Sequence, residues 1–170
     1  YRAVCAHAAA HIMETTSAFK GDQLNPLQVA CVSLIEDLRV ELNTIKKFPG
    51  MKKLWIALHP EDEDLKELNP FILDLVDLSR LALDSKYNAK QSFNKDFFKL
   101  FNSKIKMSDN SSEVSFELGL KYYEIIKSET DVKISASALV SAPISYRDDN
   151  RYIWEYEDLD WVSEGNDSVP

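Results

Sequence analysis

The stretch that decides the fold is Asn25–Lys47, NPLQVACVSLIEDLRVELNTIKK. Asn25 is a favoured N-cap residue and Pro26 is tolerated at the first helical position, so the pair predicts a helix start. Apolar side chains then recur every three or four residues, which is the spacing of one helix face. That face comprises Leu27, Ala30, Cys31, Leu34, Leu38, Leu42 and Ile45. The segment is therefore predicted to be a long amphipathic helix that ends near Lys47.

Working outward, the sequence predicts an all-α fold, a bundle of about five or six helices. The further predicted helices span 2–18, 51–58, 71–84, 93–106 and 113–127. Gly119 lies inside the last of them, where glycine lowers helix stability by about 1 kcal/mol relative to Ala. We therefore expect a close helix crossing there. Residues 133–140 are predicted to be a short strand or an extended linker. We therefore expect a helical domain over 1–128 and an acidic, aromatic-rich tail or linker over 129–170.

Charge is distributed unevenly over the 170 residues, whose net charge is −8. Residues 1–107 carry 15 basic and 14 acidic groups, whereas residues 108–170 carry 5 basic and 14 acidic groups. This balance argues against a nucleic-acid partner. The sequence contains no run of about 18 apolar residues, so direct membrane insertion is not predicted. Cys5 and Cys31 lie among apolar residues, which predicts two small buried thiols in a reducing, cytoplasmic compartment.

The sequence HAAAH places His7 and His11 four residues apart, on one face of the first predicted helix. Such a pair can hold a divalent metal if a carboxylate joins it. The second helix offers acidic side chains for that purpose: Glu36, Asp37 and Glu41. We expect the histidines to hydrogen-bond to this acidic cluster, with a metal site and hydrolytic chemistry as alternatives. A zincin-type base is missing, since the residue after the first histidine is Ala8.

Charged residues that interrupt an apolar helix are usually buried and paired, so Arg39 is predicted to join an ion-pair network or an interface. The tail mixes acidic residues with aromatic rings, which are predicted to pack on the chain's own body or on a partner or neighbouring domain, since such rings are common interface anchors. The candidate interface side chains are Arg39, Trp55, Tyr152, Trp154, Tyr156 and Trp161. Phosphate-binding glycine loops and a G-x-S-x-G motif are absent from the sequence, so we predict a protein that is not an enzyme and has no cofactor.

Several segments resemble the NorD/CbbO family of nitric oxide reductase activation proteins and Rubisco activase subunits. These are the opening residues with HAAAH, the run IEDLRVE at 35–41, FPGMKKLW at 48–55, and YRDDNRYIW at 146–154. Together they cover roughly a third of the chain, spread from its start to its end. They identify a family and are not catalytic signatures.

The resemblance implies a helical region that precedes a von Willebrand factor A domain. It also implies a chaperone-like adaptor that works with a hexameric MoxR-type AAA+ ATPase on a metalloenzyme target. The A domain's D-x-S-x-S metal motif is absent, because the segments that begin at Asp77 and Asp109 both fail at the last position. We therefore expect this chain to be a piece of a longer protein, and we expect the A domain to lie outside this piece. The alternatives are a metal-dependent hydrolase, or its relic, and a stand-alone helical interaction module.

Overall fold

The computed structural model describes residues 1–61, 65–66, 68–107, 110–129, 144–147 and 151–156, and its fold is all-α as predicted. The described residues form six helices: α1 Arg2–Glu14, α2 Pro26–Lys47, α3 Met51–Ile56, α4 Pro70–Leu83, α5 Ser92–Met107 and α6 Ser112–Glu129. Two short strands pair in parallel: β1 Phe19–Lys20 and β2 Trp154–Glu155. A single 3₁₀ turn, Arg151–Ile153, precedes β2. The strand or linker predicted at 133–140 lies outside the described residues.

The start of α2 follows from its local sequence. The Asn25 side chain accepts hydrogen bonds from the backbone N–H groups of Leu27 and Gln28, and the Gln28 side chain accepts one from the Asn25 N–H. This reciprocal capping box satisfies donors that have no partner within the helix. Asn69 caps α4 in a similar way by accepting from the Phe71 N–H. Both Asn-Pro helix starts are confirmed.

Helix α1 ends at Glu14, so the prediction of a helix over residues 2–18 is wrong at its C-terminal end. The next residues bond to other parts of the fold instead of continuing the helix. Thr15 donates its hydroxyl hydrogen to Glu36 Oε1 at 3.0 Å, and Thr16 donates to Ser112 Oγ at 3.2 Å. Tertiary hydrogen bonds to α2 and α6 therefore fix this helix end.

The main core lies between α2, α4, α5 and α6. Helix α6 crosses α2 at Gly119, where a Cβ atom would lie 2.5 Å from the Cα of Val32. The predicted close crossing is confirmed, because the nearest obstructing atom belongs to the α2 backbone and cannot rotate away. A second core lies beneath α1 and α3, and residues Ile144 and Tyr146 contribute to it. Described parts of the C-terminal segment thus pack into the helical body.

The two cysteines differ in environment, and both are free thiols. Cys31 is buried in the main core, where burial raises the pKa of its thiol. Cys5 is exposed on the outer face of α1, so the prediction that it is buried is wrong. An Ala-rich helix gives too weak a periodic signal to show which face points inward. Within the described residues, every helix is too short or too polar to cross a membrane.

Candidate functional site

Two histidines and two carboxylates face each other where α1 packs against α2. His7 and His11 are one turn apart on α1, and Asp37 and Glu41 are one turn apart on α2, so each pair shares a face. All four residues are buried, with exposed fractions of 0–4%. The structure therefore brings together four of the five residues predicted for the polar cluster.

Asp37 Oδ1 lies beside both histidine rings. It is 3.1 Å from His11 Nε2 and 3.5 Å from His7 Nε2. On the other side of the His7 ring, Nδ1 lies 3.2 Å from Glu41 Oε1. Although these distances are short, neither nitrogen of His7 reaches hydrogen-bond geometry with a described residue. The ring is held by charge and packing.

Arg147 brings a third part of the chain to this site. Its Nε and Nη2 donate to Glu41 Oε1 and Oε2 at 2.8 and 2.6 Å, which is a bidentate pair. Its Nε also lies 3.6 Å from Asp37 Oδ2. We call these five side chains the histidine–carboxylate cluster: His7, His11, Asp37, Glu41 and Arg147.

Sequence reasoning missed Arg147 as a member of this cluster, because 106 residues separate it from Glu41. The only signal in the sequence is a basic residue beside an aromatic one in an acidic tail. The aromatic residue, Tyr146, stacks on Trp55 with ring centroids 6.1 Å apart and meets the His7 ring edge-on at 5.7 Å. These rings hold the backbone that presents Arg147.

Glu36, the fifth predicted residue, lies in a neighbouring network. Both of its carboxylate oxygens accept from Arg39, at 2.9 and 2.6 Å. Arg39 also donates to the backbone carbonyls of Glu14 and Asn110, so it ties the end of α1 to the start of α6. Thr15 links the two networks through its hydroxyl oxygen, Oγ1. This hydroxyl donates to Glu36 Oε1, and its oxygen lies 3.0 Å from His11 Nδ1.

The charges of the histidine–carboxylate cluster balance when one histidine is protonated. Burial alone would lower the pKa of His7, but the carboxylates of Asp37 and Glu41 raise it to about 9. Burial would raise the pKa values of the two carboxyl groups, but the histidines and Arg147 hold both below their usual range. Two carboxylates thus face Arg147 and one imidazolium, which limits the cost of burying charge.

The candidate interface residues divide by exposure. Arg39, Trp55 and Trp154 are buried, and the Trp154 indole donates to Ser33 Oγ at 3.0 Å. Tyr152 and Tyr156 are 50% and 58% exposed, so their rings are accessible to a partner. Trp161 lies outside the described residues. A partner role for any of the six stays a prediction.

Comparisons with family models, with curated proteins and with solved structures find no match. The function must therefore be argued from the residues and their geometry.

The arrangement limits what chemistry the histidine–carboxylate cluster can perform. A general base needs a free lone pair and access to substrate or water. Here both carboxylates are engaged by cations, and the groups are at least nine-tenths buried. A cavity of about 110 Å³ lies nearby, lined by residues that include His59, Arg80 and Asp84 but none of the cluster. The geometry favours a structural role over hydrolysis.

Proposed function

We propose that this chain is a non-catalytic helical adaptor region of a NorD/CbbO-like protein. It would work with a MoxR-type AAA+ ATPase hexamer to activate or remodel a metalloenzyme target. One observation carries the proposal: segments that bear the resemblance, though far apart in sequence, converge on one buried site. HAAAH supplies His7 and His11, IEDLRVE supplies Asp37 and Glu41, and the later segments supply Trp55, Tyr146 and Arg147.

This convergence supports an adaptor because it joins both ends of the chain to the long helix α2. Arg147 pairs with Glu41 in the middle of the body, and β2 pairs with β1 along Phe19–Lys20. The described C-terminal residues 151–156 are therefore held against the helical body. A domain attached there would move with the helical body, as an adaptor between a ring and a target requires.

An exposed apolar surface near the C-terminal segment offers a contact for the ATPase ring. The rings of Tyr152 and His11 lie 5.5 Å apart, so Tyr152 sits against α1. The next two residues of α1, Ile12 and Met13, are exposed, Ile12 at 84%. Exposed apolar residues of this kind, next to an aromatic ring, are typical interface anchors.

A binding experiment with matched variants tests the proposal. The chain and the full-length protein that contains it are each immobilised, and binding of the purified ATPase hexamer is measured with nucleotide. We expect Ile12→Glu to weaken binding about 10-fold or more, since it places a charge in an apolar contact. Met107→Glu is the control, because Met107 is 83% exposed on a different helix.

Three results would contradict the proposal. Failure of both the chain and the full-length protein to bind the hexamer would exclude the adaptor role. Binding of other proteins without the ATPase would instead favour a stand-alone helical interaction module. Turnover of a hydrolysable substrate that depends on His7 and His11 would favour the hydrolase alternative.

A further inference from the structure

The hydrogen bonds around His11 determine which of its ring nitrogens carries a proton. The Thr15 hydroxyl has one hydrogen, and it donates that hydrogen to Glu36 Oε1. Thr15 Oγ1 must therefore accept from His11 Nδ1, which lies 3.0 Å away. Consequently His11 Nε2 either bears a second proton or directs a lone pair at Asp37 Oδ1, 3.1 Å away. A lone pair facing a carboxylate oxygen is stable only with a cation between them.

The ring of His7 is oriented in the same way. Its Nδ1 lies 3.2 Å from Glu41 Oε1, which can only accept, so when the ring carries a single proton this nitrogen is the favoured place for it. Its Nε2 then points toward the same Asp37 Oδ1, at 3.5 Å. This ring is 1% exposed and makes no hydrogen bond with the described residues. Two Nε2 atoms and one carboxylate oxygen thus converge on one point inside the protein.

The two distances from Asp37 Oδ1 to the histidine Nε2 atoms match the ligand spacing around a small cation. A tetrahedral zinc ion with bonds of 2.0–2.1 Å keeps its ligand atoms about 3.3 Å apart. The two distances from Asp37 Oδ1, 3.1 and 3.5 Å, lie on either side of that value. One donor atom from each of the three residues lies within 4.8 Å of the others.

We propose that His7, His11 and Asp37 bind one divalent cation of the zinc class, through Nε2, Nε2 and Oδ1. The surrounding residues act as the outer shell: Thr15 Oγ1 bonds to His11 Nδ1, Glu41 Oε1 lies 3.2 Å from His7 Nδ1, and Arg147 faces the second oxygen of Asp37. Metal-bound histidines nearly always donate their other ring N–H to such a partner. The site goes beyond the proposed adaptor function and does not depend on it.

The donor set and the burial indicate the class of metal. Imidazole nitrogens with one carboxylate suit zinc, cobalt and ferrous iron better than calcium or magnesium, which prefer oxygen ligands. The ligands come from both α1 and α2, so a bound ion would cross-link the two helices. A buried ion in this position has a structural role, and it would hold α1 against the bundle.

Cobalt titration of the full chain, after treatment with chelator, tests the site directly. We expect Co²⁺ to saturate at one equivalent with the visible absorption of a tetrahedral N/O site, and Zn²⁺ to displace it. Absence of this absorption, together with no Zn²⁺ retained after gel filtration, would overturn the proposal. The cluster would then be held by protons alone.

Variants locate the ion. His11→Asn should abolish stoichiometric binding, whereas His59→Asn removes a histidine outside the site and should leave it unchanged. Thr15→Val should lower the affinity about 10- to 100-fold through the loss of the outer-shell oxygen, and Thr15→Ser should restore it. The Thr15 pair keeps the test decisive if His11→Asn does not fold. Equal binding by wild-type, His11→Asn and Thr15→Val proteins would place the ion elsewhere and overturn the assignment.

Discussion

Two buried polar networks in this protein stabilise buried carboxylates with different kinds of partner. The histidine–carboxylate cluster pairs charged side chains that come from both ends of the chain. The second network is centred on Asp77 of α4, and its partners are backbone N–H groups and neutral side chains. We call it the Asp77 network. Its members are Asp77, Tyr87, Asn94 and Tyr122, with the backbone of Lys90 and Gln91.

The hydrogen bonds that Asp77 itself accepts are local. One carboxylate oxygen of Asp77 accepts from the Tyr87 hydroxyl and the Lys90 N–H, and the other accepts from the Gln91 N–H and the Asn94 amide. These donors lie 10 to 17 residues away in sequence. Asp77 therefore holds the α4–α5 connection, and Asn94 extends the network to Tyr122 of α6.

The histidine–carboxylate cluster differs in reach and in completeness. The partners that it joins between different elements are 26 to 110 residues apart, and His7 makes no hydrogen bond with the described residues. Asp77 and its donors thus hold the segment that connects α4 to α5. The histidine–carboxylate cluster instead makes the helical body depend on its C-terminal segment, and it has a place for a cation. The following changes test that distinction.

The largest effect is expected from Arg147→Met, measured in chelator so that no metal contributes. Met keeps much of the side-chain volume but leaves Glu41 buried without its cation. Breaking a buried ion pair on one side costs about 3–5 kcal/mol. The free energy of unfolding from urea titration should fall by that amount.

Two companion variants make the Arg147 result specific. Glu41→Leu combined with Arg147→Met should cost less than the sum of the single changes, because no uncompensated charge remains. Lys99→Met removes an exposed ion-pair partner and should change stability by less than about 1 kcal/mol. A loss below 1 kcal/mol for Arg147→Met would mean that the C-terminal segment is not held by this pair.

Asp77→Asn is expected to have the next largest effect. The amide keeps one acceptor oxygen but turns an NH₂ group toward two donors, so the network loses two of its four hydrogen bonds. Hydrogen bonds to a charged group contribute about 1.5–3 kcal/mol each, and we expect a total loss of roughly 2–3 kcal/mol after relaxation. Urea unfolding measures it, with the exposed Asp96→Asn as control. A change as small as that of the control would show that the carboxylate is not required.

The sequence predicted members of the histidine–carboxylate cluster only where the spacing is local, and the Asp77 network was not predicted. The pairs His7–His11 and Asp37–Glu41 follow from helix periodicity, and α1 precedes α2 in the chain, so their meeting was predictable. Arg147 was not, since no periodic pattern reports a contact over 106 residues. The helix starts at Asn25 and Asn69 are encoded by their own side chains. The end of α1 is set by partners on other helices, and it was predicted four residues too late.

His7 and His59 both contact the Tyr146 ring, but their pKa values shift in opposite directions. His7 lies between carboxylates, whereas burial and the nearby charge of Arg147 lower the pKa of His59 to about 4. His59 donates Nδ1–H to the Trp55 carbonyl and accepts from Ser79 at Nε2, so its neutral form is the one that fits.

Acidification should therefore destabilise the fold through His59. Above pH 6.5 the ring is neutral in both folded and unfolded chains and contributes nothing. Between pH 6.5 and 4 only the unfolded chain takes up the proton, so stability falls by about 2 kcal/mol at pH 5. The difference in unfolding free energy between wild type and His59→Gln, followed from pH 7 to 5, measures this. A pH-independent difference would refute it.

The smallest effect tests whether the C-terminal segment is also held by neutral contacts. Ser33→Ala removes the acceptor of the Trp154 indole N–H and leaves that donor largely buried, which should cost about 1 kcal/mol. Ser103→Ala, at an exposed position inside α5, corrects for the higher helix propensity of Ala. If Ser33→Ala costs no more than Ser103→Ala, Trp154 is anchored by strand pairing and packing without this hydrogen bond, including the contact with Phe19 at a ring-centroid distance of 5.3 Å. If it costs as much as Arg147→Met, the segment is held by many equal contacts, and the histidine–carboxylate cluster has no special part in fixing the C-terminal end.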